Sequence, residues 1–547
     1  MRTVLNLVLL LLIPTFAFAT ESTSTGSLTV TPTFENAGFI IYFSDDDNAN
    51  MVATVELCDS VGENCSVVYS PTTVVPVYID RRLQVNDGGS TVPNKYEKTI
   101  RGSFFELTRN TTYTCKITFT DIDGVTGINP VVSEFTTWSH DQEVNSGTIY
   151  NVSNDVELSS ALSSASGGDI ISIKAGIYMI SSFTAEGSTG KPVKYVAADP
   201  SSKPIFSSYL SVGNWQWIES INFTGGVTLN GDQFVVFKSC DFDNNGIVLG
   251  RGDNSGLLVE SCDINLGPED ATPHKDTGIY ATLHHHGSGV ARYNSAYGGR
   301  DALCGGEQNR QSGAGFSNWD FYGNDVSGFT DDGLEIEGGI INVRVYYNTV
   351  RQYQWGGSVS GAGNPFAIAP IIWGPIYFFN NQAYDGIAGF KTGQPGGGEI
   401  NPDGQVYVLY NTFYDIKWGV FRANSPGQSN IVGVGNAWSC TALNINERGS
   451  ITTGYDWDYN YWDSGTGANW DFAGHKRSTW SDWRAEGQDA NGGSISDLGL
   501  ADPSHGDLSL ASGSLLIGKG VSLSHLFTKD IDGEVRGYNW DVGADQF

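Results

Sequence analysis

An asparagine that returns at intervals of one structural turn constrains this chain more than any other feature. Alternating apolar runs end in Asn from Val290 to Asn294, Phe321 to Asn324, Val343 to Asn348, Ile376 to Asn381, Val406 to Asn411, Ile431 to Asn436 and Tyr459 to Asn460, and these asparagines lie 30, 24, 33, 30, 25 and 24 residues apart. Upstream, Glu219-Ser220-Ile221-Asn222-Phe223, Lys238-Ser239-Cys240-Asp241-Phe242 and Glu260-Ser261-Cys262-Asp263-Ile264 repeat at intervals of 19 and 22 residues. Such a period fits one turn of a three-sheet coil with loops of varying length, whereas a propeller blade needs roughly 40 residues or more. An Asn at one corner can stack in a ladder, each amide bonding the next turn and satisfying groups that a bend would leave bare. The expected fold is all-β: a right-handed parallel β-helix over residues 149–465, behind a small N-terminal β-sandwich.

The start of the coil reads as a cap. Asp155 to Ser166 carries Val156, Leu158, Leu162 and Ala165 on one face of a short amphipathic helix, and Gly167-Gly168-Asp169 then leads into the first apolar strand. This order resembles the opening of pectin-lyase-fold β-helices, in which a helix shields the open end of the coil from further pairing. After Asn460 the period is lost. Residues 466–547 are expected to form a distal cap, with Asp530-Ile531-Asp532-Gly533, Arg536 and Asp541 to Asp545 similar to the closing segment of bacterial β-helix proteins.

Ahead of the coil, residues 26–138 alternate apolar and polar positions in short runs split by Gly, Pro, Asn and Asp, which is all-β punctuation. Phe105 to Ile117, with Leu107 and then Tyr113, resembles the tyrosine corner and late strand of a fibronectin type III module. The resemblance implies a spacer or docking module with no catalytic role. Residues 1–19 read as an export signal: Arg2, the apolar run Val4 to Ile13, then Ala17-Phe18-Ala19. That run falls short of the roughly 20 apolar residues needed to span a bilayer. A secreted or cell-surface monomer without membrane insertion is expected.

The formal charge of −30 argues against nucleic acid and anionic lipid as partners. An acidic glycan can be held only through a local patch of Lys and Arg or a bridging metal. Among the seven cysteines, Cys58 and Cys65 are the expected disulfide, and Cys240 and Cys262 are expected to stack inside the coil.

Such a coil has no interior room for a ligand, so chemistry is sought on outer faces and loops. In Thr330 to Gly338, alternation sends Leu334 and Ile336 to the core and Glu335 and Glu337 to solvent, with Asp331 and Asp332 just before them. Registering on the corner asparagines places Asp301 beside Asp331, about 4.8 Å away by the strand spacing. Gly357-Ser358-Val359, Gly389-Phe390-Lys391 and Gly419-Val420-Phe421-Arg422 then fall near the same column, with Lys391 two turns from Glu335.

Stacked carboxylates repel one another unless a cation intervenes, which leaves two chemical readings. In one, Asp301, Asp331, Asp332, Glu335 and Glu337 hold calcium, which acidifies the C5 proton of a uronic acid, and Lys391, helped by Arg422, removes that proton in a β-elimination. In the other, two carboxylates, Asp331 and Glu335 among them, act as acid and base or nucleophile on a glycosidic bond. The Glu335-x-Glu337 pair resembles the calcium-binding strand of the alginate lyase and chondroitinase B group of polysaccharide lyases, although Asn342 and Arg344 stand where that group has its lysine and no Arg-His follows. Arg344, Trp355, Trp373 and Trp418 are candidates for substrate binding, the tryptophans as platforms for sugar rings. His284-His285-His286 cannot all face one metal, because alternate side chains diverge. The expected function is action on an extracellular, acidic polysaccharide as lyase or hydrolase. The alternative is a non-catalytic adhesion or glycan-binding protein.

Overall fold

Each turn of the chain from Ile149 onward lays short parallel strands against those of the turn before, so that residues about one period apart become neighbours. The computed structural model describes residues 21–87, 90–140, 147–267, 277–282, 284–306, 315–336, 340–352, 363–368, 371–392, 404–422, 428–447, 454–463, 469–472 and 475–547. The expected export signal therefore lies outside the described residues.

The coil is a right-handed parallel β-helix. Its first face is a 13-stranded parallel sheet from Ile149–Val152 to Asp456–Asp458, and its second and third faces merge into one 23-stranded sheet. Asp155–Ser164 caps the open end, with the Asn154 side chain accepting the Glu157 amide. Leu158, Ala161 and Leu162 face the core, and Val156, expected there too, points to solvent.

The corner asparagines form the ladder that their spacing predicts. From Asn294 through Asn324, Asn348, Asn381, Asn411 and Asn436, each Nδ2 donates to the Oδ1 of the next, at 2.8–2.9 Å, ending on Asn460. Each also donates to a backbone carbonyl of the preceding turn, as Asn381 does to Val345 at 2.9 Å. All seven side chains are buried, so the ladder removes polar groups that would otherwise be stranded in the wall of the coil. It terminates on Asp489, whose Oδ1 accepts from Asn460.

Two small, mainly antiparallel sheets form an N-terminal β-sandwich, in which Tyr113 Oη accepts the Thr108 amide at 2.9 Å and Cys58 and Cys65 are disulfide-bonded. Cys115, Cys240, Cys262, Cys304 and Cys440 are buried thiols. The sandwich lies on the first face of the coil. Phe105 packs edge-on against Tyr377 and Phe379, 5.1 Å from each, and Thr33 donates to Asp320.

This interface corrects two expectations. Arg344 is fully buried beneath the sandwich, paired with Asp320 and donating to Ser103 Oγ, and is sealed from any substrate. Trp373 is sealed likewise, its indole donating to Asn94 of the sandwich. The C-terminal tail covers part of the second face, with Leu498, Leu500, Leu508, Leu510 and Val542 packed on Tyr384 and Ala437. Among the described residues, no helix is long and apolar enough to cross a membrane.

Candidate metal and active site

The third face brings together residues from four successive turns. Its strands Asp301–Gly306, Asp332–Glu335, Asn364–Ala367 and Ala388–Thr392 run in parallel, with Asp301 paired to Asp332 and Asp332 to Asn364. Leu334 faces the core and Glu335 points outward, in register with Ala367 and, one turn further, with Lys391. Strand alternation thus puts Glu335 and Lys391 in one outer column.

Asp301 pairs with Asp332 and not with Asp331. A bulge between Asp301 and Cys304 inserts a residue opposite Asp332-Gly333-Leu334 and shifts the register by one. Asp331 sits in the bend before the strand, where it takes Arg300 Nη2 at 3.2 Å and Lys391 Nζ at 3.5 Å. Glu337 and Trp355 lie outside the described residues, as does Gly357-Ser358-Val359, and Asn364–Ala367 is the strand found in that column.

Asp301, Asp332 and Glu335 converge, each offering a carboxylate oxygen within 4.8 Å of the others. Thr277 Oγ1 donates to Asp301 Oδ2 at 3.2 Å, Asn364 Nδ2 donates to Asp332 Oδ1 at 2.8 Å, and Lys391 Nζ lies 2.5 Å from Asp332 Oδ2. Asp301 Oδ1 is buried and has no hydrogen-bond partner among the described residues. Burial, with the charges of Glu335, Asp332 and Asp331 added, pushes the Asp301 carboxyl well above its ordinary range. Burial also pushes Asp332 up to about 6, against the pull of Lys391. At Gly305 an added Cβ would stand 2.9 Å from Glu335 Oε2 and 3.0 Å from Asp301 Oδ2, so glycine leaves the space between these carboxylates open.

The cluster fits a hard cation: three carboxylates offer oxygens within reach of one another, one of them carries a buried oxygen with no partner among the described residues, and a glycine keeps the space beside them clear. Thr277, Arg300, Gly305 and Asn364 belong to it and were not singled out from sequence. Asp301, Asp332 and Asn364 are 31 and 32 residues apart, one turn each, which is the signal that marks Asn364 once the bulge is known.

Arg422 lies elsewhere. It pairs with Thr392, one position beyond the Lys391 column, and its charge acts on buried Glu447, whose carboxyl burial pushes up to about 8. Trp418 is half-buried on the outer side, stacked on Phe421 at 4.4 Å with Lys417 over its ring at 4.6 Å, and Phe421 stands in register with Lys391. His285 is buried, its Nδ1 accepting from Asn254, and burial brings it down to about 3, while His284 and His286 are exposed. The three diverge as strand alternation requires.

No family model matches the sequence, and no curated protein does. Among solved structures the chain is similar in fold to pectate lyase Pel9A, at 16% identity over 74% of this chain and 97% of that one, with a TM-score of 0.43. It is similar to a mannuronic acid specific family 6 polysaccharide lyase from human gut microbiota, at 15% identity over 58% and 86% of the two chains and a TM-score of 0.38. The catalytic domain of a GH87 α-1,3-glucanase is similar at 12% identity over 75% and 96%, with a TM-score of 0.28. At these values the likeness assigns no activity to this chain.

Proposed function

We propose that the protein is a secreted polysaccharide lyase that cleaves an acidic glycan by β-elimination, with calcium held by Asp301, Asp332 and Glu335. The observations that carry this reading are the convergence of those three carboxylates and the buried Oδ1 of Asp301, which has no hydrogen-bond partner among the described residues. Buried like charges this close stay ionised together only beside a cation, and an all-oxygen donor set suits calcium. Bound there, the cation would neutralise a uronate carboxylate and acidify its C5 proton.

The chain supplies the remaining parts. Lys391 reaches the same cluster, and once calcium takes its place on Asp332 and the ammonium releases its proton to solvent, the neutral amine is the base placed to take the C5 proton. Arg300, with its side chain 56% exposed, gives an acidic substrate a positive contact in an otherwise acidic protein. Trp418 and Phe421 offer ring faces beside the Lys391 strand.

A panel of polygalacturonate, alginate and chondroitin sulfate, assayed with calcium and with chelator, tests the proposal. Ultraviolet absorbance from an unsaturated uronate is expected with at least one substrate, lost in chelator and in Glu335→Gln with folding intact. Unchanged turnover in Glu335→Gln, or reducing ends without that absorbance, would overturn it.

A further inference from the structure

The bend leading into most strands of the first face is turned by a residue at positive φ, a conformation that L side chains rarely adopt. Along the coil this residue is Gly256, Gly287, Asn318, Asn342, Gly374, Asn430 and Gly454, the residue types that suit it. At the two bends before Gly256 it is Trp215, at φ 53, and Phe234, at φ 57. Bulky aromatics at such angles call for a reason beyond turning the chain, and that reason is often function.

Tyr293, Tyr347, Tyr410 and Tyr459 adopt the same conformation at the next bend of the turn, where the hydroxyls of Tyr347 and Tyr410 donate to Glu106 and to the Val521 carbonyl. Trp215 has no such anchor among the described residues. It is half-buried and stacks on Phe234, with ring centroids 4.2 Å apart and planes at 17°. Gly256 makes room for this, since a Cβ there would meet the Phe234 ring at 2.6 Å.

The two rings line a cavity of ≈ 530 Å³ between the sandwich and the coil, within the range of small-ligand sites. Trp138 and His140, both half-buried, also line it; His140 packs edge-on against Phe234 at 5.3 Å, and its Nε2 donates to the Gly256 carbonyl at 2.9 Å. Asn110 and Thr189 stand among its polar lining residues. No Asp, Glu, Lys or Arg is among the described residues that line it.

We infer that this cavity binds a neutral saccharide, separately from the acidic cluster on the third face. Aromatic faces pack on the C–H faces of a pyranose, amide and hydroxyl groups answer its hydroxyls, and an uncharged lining suits an uncharged sugar. In a protein of formal charge −30, a cavity with no charged side chain among its described lining residues, where Lys194 and Lys238 lie over the ring of Trp217 at 5.7 and 5.6 Å without lining it, offers a uronate no direct ion pair. The site would hold the protein on a neutral glycan while a different polymer is handled elsewhere.

Native affinity electrophoresis in chelator, in gels containing a soluble β-glucan, a mannan, a xyloglucan or polygalacturonate, tests this. Chelator removes any contribution from a metal at the acidic cluster, so failure here is distinct from failure of the lyase reading. Retardation by at least one neutral polysaccharide is expected, weakened at least ten-fold by Trp215→Asn. That variant installs the residue used at Asn318 and Asn342, so its melting temperature should hold or rise; Trp215→Gly, the choice made at Gly256, serves if it does not fold. Absence of retardation by every neutral polysaccharide, retardation by polygalacturonate alone, or equal retardation of wild type and variant would overturn the inference.

Discussion

Lys391 reaches back across the strand Asn364–Ala367 to bring its Nζ within 2.5 Å of Asp332, the carboxylate that strand pairing stacks on Asp301. The pair is largely withdrawn from solvent, with side chains 14% and 0% exposed. Removing one partner leaves an uncompensated buried charge, so Lys391→Met is expected to lower stability in chelator by about 3 kcal/mol. Calcium should restore much of that loss, because a cation held by Asp332 replaces the missing ammonium charge. Urea denaturation with and without calcium checks this, and an equal loss in both conditions would separate Lys391 from the metal site.

The ladder ends on an acid for a reason that a substitution can expose. Asp489 accepts from the amide and Nδ2 of Asn460, at 3.1 and 2.9 Å, and from the indoles of Trp462 and Trp483, at 2.8 and 2.9 Å. Four donors meet two acceptor oxygens. Asp489→Asn, which would extend the asparagine series, instead turns an amide NH₂ toward two donors whichever way the group is rotated. A loss of about 2–4 kcal/mol is expected by urea denaturation, against no change if the corner merely favours asparagine.

Glu447 supplies a pH dependence of defined sign. Its carboxyl is buried, Oε2 accepts from Thr392 at 3.2 Å, Oε1 has no partner among the described residues, and burial pushes it up to about 8 from an ordinary 4.5. Between those values the folded chain keeps a proton that the unfolded chain has lost. This contribution is full below about 4.5 and is lost as pH rises through about 8. Glu447→Gln keeps the contact with Thr392 and removes the titration. The variant should match wild type near pH 4 and exceed it at pH 9 by about 3–5 kcal/mol in chemical denaturation.

The coil was legible because one corner residue recurs and because a strand's side chains alternate with period two. Together these place Glu335 and Lys391 on one face. The Asp301 partner was misplaced by one residue, since the bulge before Cys304 changes pairing without changing the spacing of the asparagines. Arg344 and Trp373 read as surface residues because alternation tells which side chains leave the core but not which face a second domain covers. Here the sandwich covers theirs. Asn364 stands farther along the chain from its corner asparagine, Asn348, than Asp301 and Asp332 do from Asn294 and Asn324, so the spacing assigns the column to Gly357-Ser358-Val359 instead.

Calorimetric titration of the chelator-stripped protein with calcium tests the central claim most directly. One site per chain is predicted, lost in Asp301→Asn and in Glu335→Gln while both variants remain folded. Absence of binding by wild type, or binding that survives both substitutions, would contradict it.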